Sequence, residues 1–225
     1  MNFWPRRIRQ TYPNLHRNVT QAVGKAFALL PEFFDEMLGK FDYGDYATKV
    51  DRVMVDSLAD SKLVNFLSER APAAVLYTGG GIVPASLLKL CGVKFLHFHP
   101  GVLPYIRGAD GLLWSMLVRG NPGASAFYME PGIDTGPVIA TRDYPALSFE
   151  LSGGKRPDDQ TLYRAIFSFF DPVLRARLMA DVFRSGGDLM NLPCTPQEGA
   201  NGITYHFMSD PLRRAALERL FPRQD

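Results

Sequence analysis

Two of the four histidines stand one residue apart, His97 and His99, in the stretch FLHFHPGVLPYIRG from Phe95 to Gly108. VKFLHFH has the apolar density of a buried strand, and a strand's period of two puts Val93, Phe95, His97 and His99 on one face. Both imidazoles therefore point the same way. Further along, a lone aspartate, Asp134, sits in the Gly/Pro turn EPGIDTG between two predicted strands. Such turns are where an α/β sheet presents polar groups to a ligand.

Three chemistries fit two histidines and one aspartate. His-x-His with a carboxylate is a ligand set for zinc or iron, although only His16 and His206 remain to enlarge it. Alternatively, a neutral imidazole shuttles a proton, the carboxylate holds its tautomer, and the second ring stabilises an oxyanion. That arrangement suits attack of an amine or water on an acyl group. Finally, a histidine on an apolar face is often a satisfied core residue.

The elements that must position these groups read as an α/β layer pattern. Residues 1–49 carry apolar clusters at helical spacing, AVGKAFALL and EFFDEML, with Pro31 suited to a first helical turn. From Val50 the texture changes: VDRVMV reads as a strand, and a helix capped by Asp60 or Ser61 follows. AAVLYT then reads as a buried strand running into Gly79, Gly80 and Gly81. VPASLLKL is a short helix, VKFLHFH the next strand, and residues 109–119 a helix ended by Gly120. ASAFYM and GPVIATRDY are strands on either side of the Asp134 turn. The remainder is helical: QTLYRAIFSFF, then a helix opened by Asp171-Pro172, then a strand-like ITYHFM and a last helix from Asp210-Pro211. ITYHFM is assigned no role, and the stripe Tyr163, Phe167, Phe170 is read as core or a homodimer face.

Composition narrows the function classes. The chain of 225 residues is 46% hydrophobic, enough for one domain with an appendage. A formal charge of +2 gives no basic field for a nucleic-acid partner. Arg6, Arg7, Arg9 and Arg17 precede the first acidic residue, Glu32, and are read as a solvated arm. No apolar run is long enough to cross a bilayer, so no membrane partner and a cytoplasmic location are expected. Cys91 and Cys194 lie far apart and are expected to be buried free thiols.

HFHPGVLPYIRG followed, after a helix, by MEPGIDTGPVI resembles the folate-dependent formyltransferase family, which includes the methionyl-tRNA, glycinamide ribonucleotide and nucleotide-sugar formyltransferases. The resemblance runs from about Leu58 to Tyr144. It implies an open, mainly parallel α/β sheet with flanking helices: an atypical helical segment at 1–49, a catalytic core at 50–150 and a helical C-terminal extension at 151–225. It implies 10-formyltetrahydrofolate as co-substrate, no metal, and a small-molecule amine as acceptor, because the tRNA branch carries a basic C-terminal domain and the tail here is short. His99 and Asp134 match the family's catalytic histidine and aspartate. His97 stands where the family has an asparagine that donates to the formyl oxygen. The pterin pocket corresponds to the backbone of Gly80, Gly81, Ile82 and Val83 and of Glu130, Pro131, Gly132 and Ile133. Formyl-folate hydrolysis, a non-catalytic folate-binding role and a metal hydrolase are the alternatives. The apolar first strand and helix of a typical member are missing or replaced by helices.

Overall fold

The computed structural model describes residues 3–79, 81–151, 156–198 and 201–222. Gly80 lies outside the described residues.

Three helices open the chain: α1 (Phe3–Thr11), α2 (Pro13–Phe27) and α3 (Pro31–Leu38). Pro13 and Pro31 occupy first turns, where a missing N–H costs no intrahelical bond. Ile8, Val19 and Val23 are fully buried, each contributing about 1.5–3 kcal/mol by leaving water. The arginines are exposed, as expected, but they project from packed helices and do not form an arm. Residues 50–55 form no strand. Val50, Val53 and Met54 are exposed, so VDRVMV has neither a ladder partner nor an apolar surface to bury against.

The α/β layer follows. Asp60 caps α4 (Ser61–Ser68), its carboxylate accepting from Lys62 N at 2.9 Å. Then come β1 (Ala73–Tyr77), α5 (Ala85–Leu88), β2 (Val93–His99), β3 (Arg107–Gly108), α6 (Gly111–Val118), β4 (Gly123–Tyr128) and β5 (Val138–Asp143). The chain continues through α7 (Asp159–Phe169), α8 (Asp171–Arg184), β6 (Thr204–Tyr205) and α9 (Asp210–Leu220).

The main sheet runs β1-β2-β4-β5. It is mixed: β1 and β2 are parallel, whereas β2–β4 and β4–β5 are antiparallel, so the expected parallel character is confined to the first ladder. A connection as short as that between β4 and β5 reverses direction, because a parallel return needs a crossover. The second sheet pairs β3 with β6, tying the C-terminal segment to the loop after β2.

Both faces of β2 are buried along most of its length, which explains its near-continuous apolar sequence. Val93 and Phe95 pack with Leu67, Val83 and Leu87. Leu96 and Phe98 belong to the main core, shared with Val19, Phe27, Phe169 and Leu220. His97 and His99 continue the Val93–Phe95 face beyond the smaller cluster, at the carboxyl end of the strand.

Cys91 and Cys194 are free and exposed, contrary to the expectation of burial. Cys91 sits in the turn before β2 and Cys194 in the loop before Thr195, positions set by chain reversal and not by packing.

Candidate functional site

His99 is 2% exposed and fixed from two sides. Its Nε2 stands 2.9 Å from the Ile106 carbonyl oxygen, which only accepts, so Nε2 carries the hydrogen. Its Nδ1 faces Asp134 Oδ2 at 3.4 Å. In the neutral ring with Nε2–H, Nδ1 is an acceptor opposite an acceptor. The contact becomes a hydrogen bond when the pair holds one further proton.

The loop that brings Ile106 back to His99 is held by Ser125, opposite His99 in the β2–β4 register. Ser125 Oγ donates to Gly101 O at 2.7 Å and accepts from Leu103 N at 2.9 Å. Gly101 leaves no room for a side chain: a Cβ there would lie 2.8 Å from His99 Nε2.

Asp134 adopts φ 52°, the left-handed region, which Asp tolerates better than most residues. Its Oδ2 accepts from Gly108 N at 2.7 Å. Its main-chain oxygen accepts from Gln197 Nε2 at 2.8 Å, and Gly136 O accepts from the same nitrogen at 2.7 Å. Gln197 Oε1 in turn accepts from Arg107 Nε and Nη2 at 3.0 and 2.8 Å. Arg107 is buried, so this amide both neutralises the desolvation cost of its donors and clamps the Asp134 turn.

His97 lies between Tyr77 and Phe127, its partners across the two ladders. Its Nδ1 stands 2.8 Å from the Tyr77 carbonyl oxygen and therefore carries the hydrogen. Burial holds its imidazole below the ordinary value, outweighing the opposing pull of that hydrogen bond. The ring is accordingly neutral at pH 7, and Nε2 offers a lone pair. In this state Nε2 does not supply the N–H expected of an oxyanion donor. The Tyr77 hydroxyl donates onward to Gly81 O, connecting the β1 turn to the same end of the sheet.

His97, His99 and Asp134, predicted to converge, do so: one ligand-competent atom from each lies within 4.8 Å of the others. Gly81, Ile82, Glu130, Pro131, Gly132 and Ile133 are exposed, whereas the Val83 side chain is in the smaller core. Met129 packs on that same cluster, so the two loops rise from neighbouring positions around the end of β2. Gln197 and the β6 pairing were missed by sequence reasoning. Gln197 reaches Arg107 across 90 residues and Thr204 pairs with that arginine from still further along the chain, and no local pattern announces such contacts.

Residues 44–153 match the model described as formyl transferase, and over this segment the chain is similar to the formyl transferase family. Among curated relatives, the methionyl-tRNA formyltransferase of Deinococcus radiodurans is 36% identical over 77 residues, covering 33% of this chain and 24% of its own. That of Myxococcus xanthus is 32% identical over 136 residues, covering 59% of this chain and 40% of its own. The chain thus spans well under half the length of these relatives. Among solved structures, a 4-N formyltransferase from Francisella tularensis aligns with TM-score 0.48 and 18% identity, covering 73% of this chain and 67% of that one. A sugar N-formyltransferase from a Shewanella species aligns with TM-score 0.46 and 16% identity, covering 72% and 65%.

Proposed function

We propose that the chain transfers a formyl group from 10-formyltetrahydrofolate to the amine of a small acceptor. The observation that carries this reading is the convergence of His97, His99 and Asp134 at the carboxyl end of β2, inside the segment that matches the formyl transferase family. Their hydrogen-bond partners give each a separate task.

The acceptor amine attacks the formyl carbon, and its nitrogen must shed a proton as the new C–N bond forms. His97 Nε2 accepts one amine N–H and aims the nitrogen lone pair at the carbon. The His99–Asp134 pair takes the released proton, since Nδ1 and Oδ2 face each other with room for one. The bond to folate N10 then breaks, and the pair returns the proton to N10. Ile106 O and Gly108 N keep the pair in register throughout. The oxyanion receives less help here than an amide at position 97 would give, because neutral His97 presents an acceptor. The exposed backbone of Gly81, Ile82 and Glu130 to Ile133 is the expected pterin contact, with Gly80 and Val83 in the same stretch.

The test is release of tetrahydrofolate from 10-formyltetrahydrofolate with a panel of amino sugars and amino-acid derivatives, against a control without amine. Release that requires an amine supports transfer. Equal release with and without amine indicates hydrolysis, and folate binding without release indicates a non-catalytic role; either would overturn the reading.

A further inference from the structure

His99 Nδ1 faces the Asp134 carboxylate at 3.4 Å, a ligand-competent nitrogen of His97 lies within 4.8 Å of both, and this spacing is unusual for a hydrogen-bonded trio. We propose that His97, His99 and Asp134 form a binding site for a divalent transition metal of the zinc type. This goes beyond formyl transfer, does not depend on it, and departs from the metal-free site that the family resemblance implies.

Three observations carry it. First, each imidazole has its other nitrogen hydrogen-bonded to a main-chain carbonyl, Tyr77 O at 2.8 Å and Ile106 O at 2.9 Å. That is the arrangement which fixes the tautomer and ring orientation of metal-ligating histidines. It leaves Nε2 of His97 and Nδ1 of His99 as the lone-pair atoms.

Second, His99 Nδ1 and Asp134 Oδ2 are 3.4 Å apart. A charge-assisted hydrogen bond would draw them to about 2.7–2.9 Å. Two ligands at about 2.1 Å from a tetrahedral ion stand roughly 3.4 Å apart.

Third, the cluster is complete: one ligand atom from each residue lies within 4.8 Å of the others, so small side-chain rotations close the set. Asp134 is also backed by Gly108 N, which orients its carboxylate as outer-shell donors do at metal sites. Two imidazoles and one carboxylate are the donor set of a site with three protein ligands and an open position for water. The metal would occupy the place that a transferred proton takes between His99 and Asp134, so zinc competes with any acid/base work of that pair.

The experiment is isothermal titration of metal-depleted full-length protein with zinc chloride, repeated with cobalt chloride while recording visible absorption. His97→Asn, His99→Gln, Asp134→Asn and a Cys91→Ser/Cys194→Ser double variant are compared, with circular dichroism verifying that each folds. Saturable 1:1 binding, weakened more than about tenfold in the three site variants and unchanged in the cysteine variant, is the expected result. Visible cobalt bands of a four- or five-coordinate ion would accompany it. Absence of saturable binding, or binding by folded His97→Asn or Asp134→Asn as tight as that of wild type, would overturn the proposal. Tetrahydrofolate release by the metal-depleted wild-type protein keeps the two readings apart: amine-dependent release without metal supports transfer whatever the titration shows, whereas metal binding by a protein inactive in transfer sinks the transfer reading alone.

Discussion

At the scale of single residues, the site depends on how little space surrounds His99. A methyl group added at Gly101 would meet Ile106 Cγ2 at 2.9 Å as well as the His99 ring. Gly101→Ala should therefore separate Nε2 from Ile106 O, lowering kcat at least tenfold and stability by about 1–3 kcal/mol. Steady-state kinetics and urea melts check both effects. Position 97 behaves differently, because its neighbours leave Nε2 without a hydrogen-bond duty inside the fold. Burial lowers the pKa of His97 and of His16 below 6.5, their ordinary value. The unfolded chain then binds more protons than the folded one as pH drops through 6.5. Stability contributed by the two neutral rings is complete above that pH and declines as pH falls through their folded values. Urea midpoints at pH 7.5 and 5.5 should differ in that direction, and a His16→Asn/His97→Asn double variant should show a smaller difference.

At the scale of elements, β2 was legible and its strap was not. VKFLHFH announces a buried strand with both histidines on one face, and the register bears this out residue by residue. The Asp134 turn was equally readable from its glycines and proline. Neither the β3–β6 pairing nor the Gln197 clamp has a local signature. Each forms because tertiary packing brings the last quarter of the chain against the loop after β2. The reading of residues 50–55 as a strand failed for the opposite reason: apolar residue types were present, but no sheet edge or core received them. The clamp yields a sharp expectation. Gln197→Glu keeps an acceptor for Arg107 but loses the donor to Asp134 O and Gly136 O. It should lower kcat with little change in the folate KM, whereas Gln197→Ala, which also strands the buried Arg107, should cost about 1–3 kcal/mol of stability besides. Equal stability losses with unaltered kcat in both variants would mean that the clamp is structural only.

At the scale of the whole molecule, the helices of residues 1–49 are not an appendage to the sheet. Ile8, Leu15, Val19 and Val23 share one core with Phe169, Phe170, Leu174 and Phe221. We propose that the three stretches implied by the family resemblance, 1–49, 50–150 and 151–225, unfold together. Ile8→Ala and Leu220→Ala should each cost about 2–5 kcal/mol and shift one common transition seen by both far- and near-ultraviolet circular dichroism. Two separated transitions would contradict that. The helical character of the first 49 residues could be read from spacing, but its packing against α7 and α8 could not, because amphipathic faces do not name their partners. The tautomer of His97 was likewise invisible, since it depends on the Tyr77 carbonyl one strand away.

In the proposed transfer, His99 and Asp134 move the proton while His97 orients the attacking amine. Tetrahydrofolate release from 10-formyltetrahydrofolate in the presence of an accepted amine, compared among wild type, His99→Ala and His97→Asn, tests it most directly. His99→Ala should lose about 100-fold or more. His97→Asn, which supplies both an acceptor and an amide donor, should keep or raise the activity. Full activity in His99→Ala with none in a folded His97→Asn would contradict it.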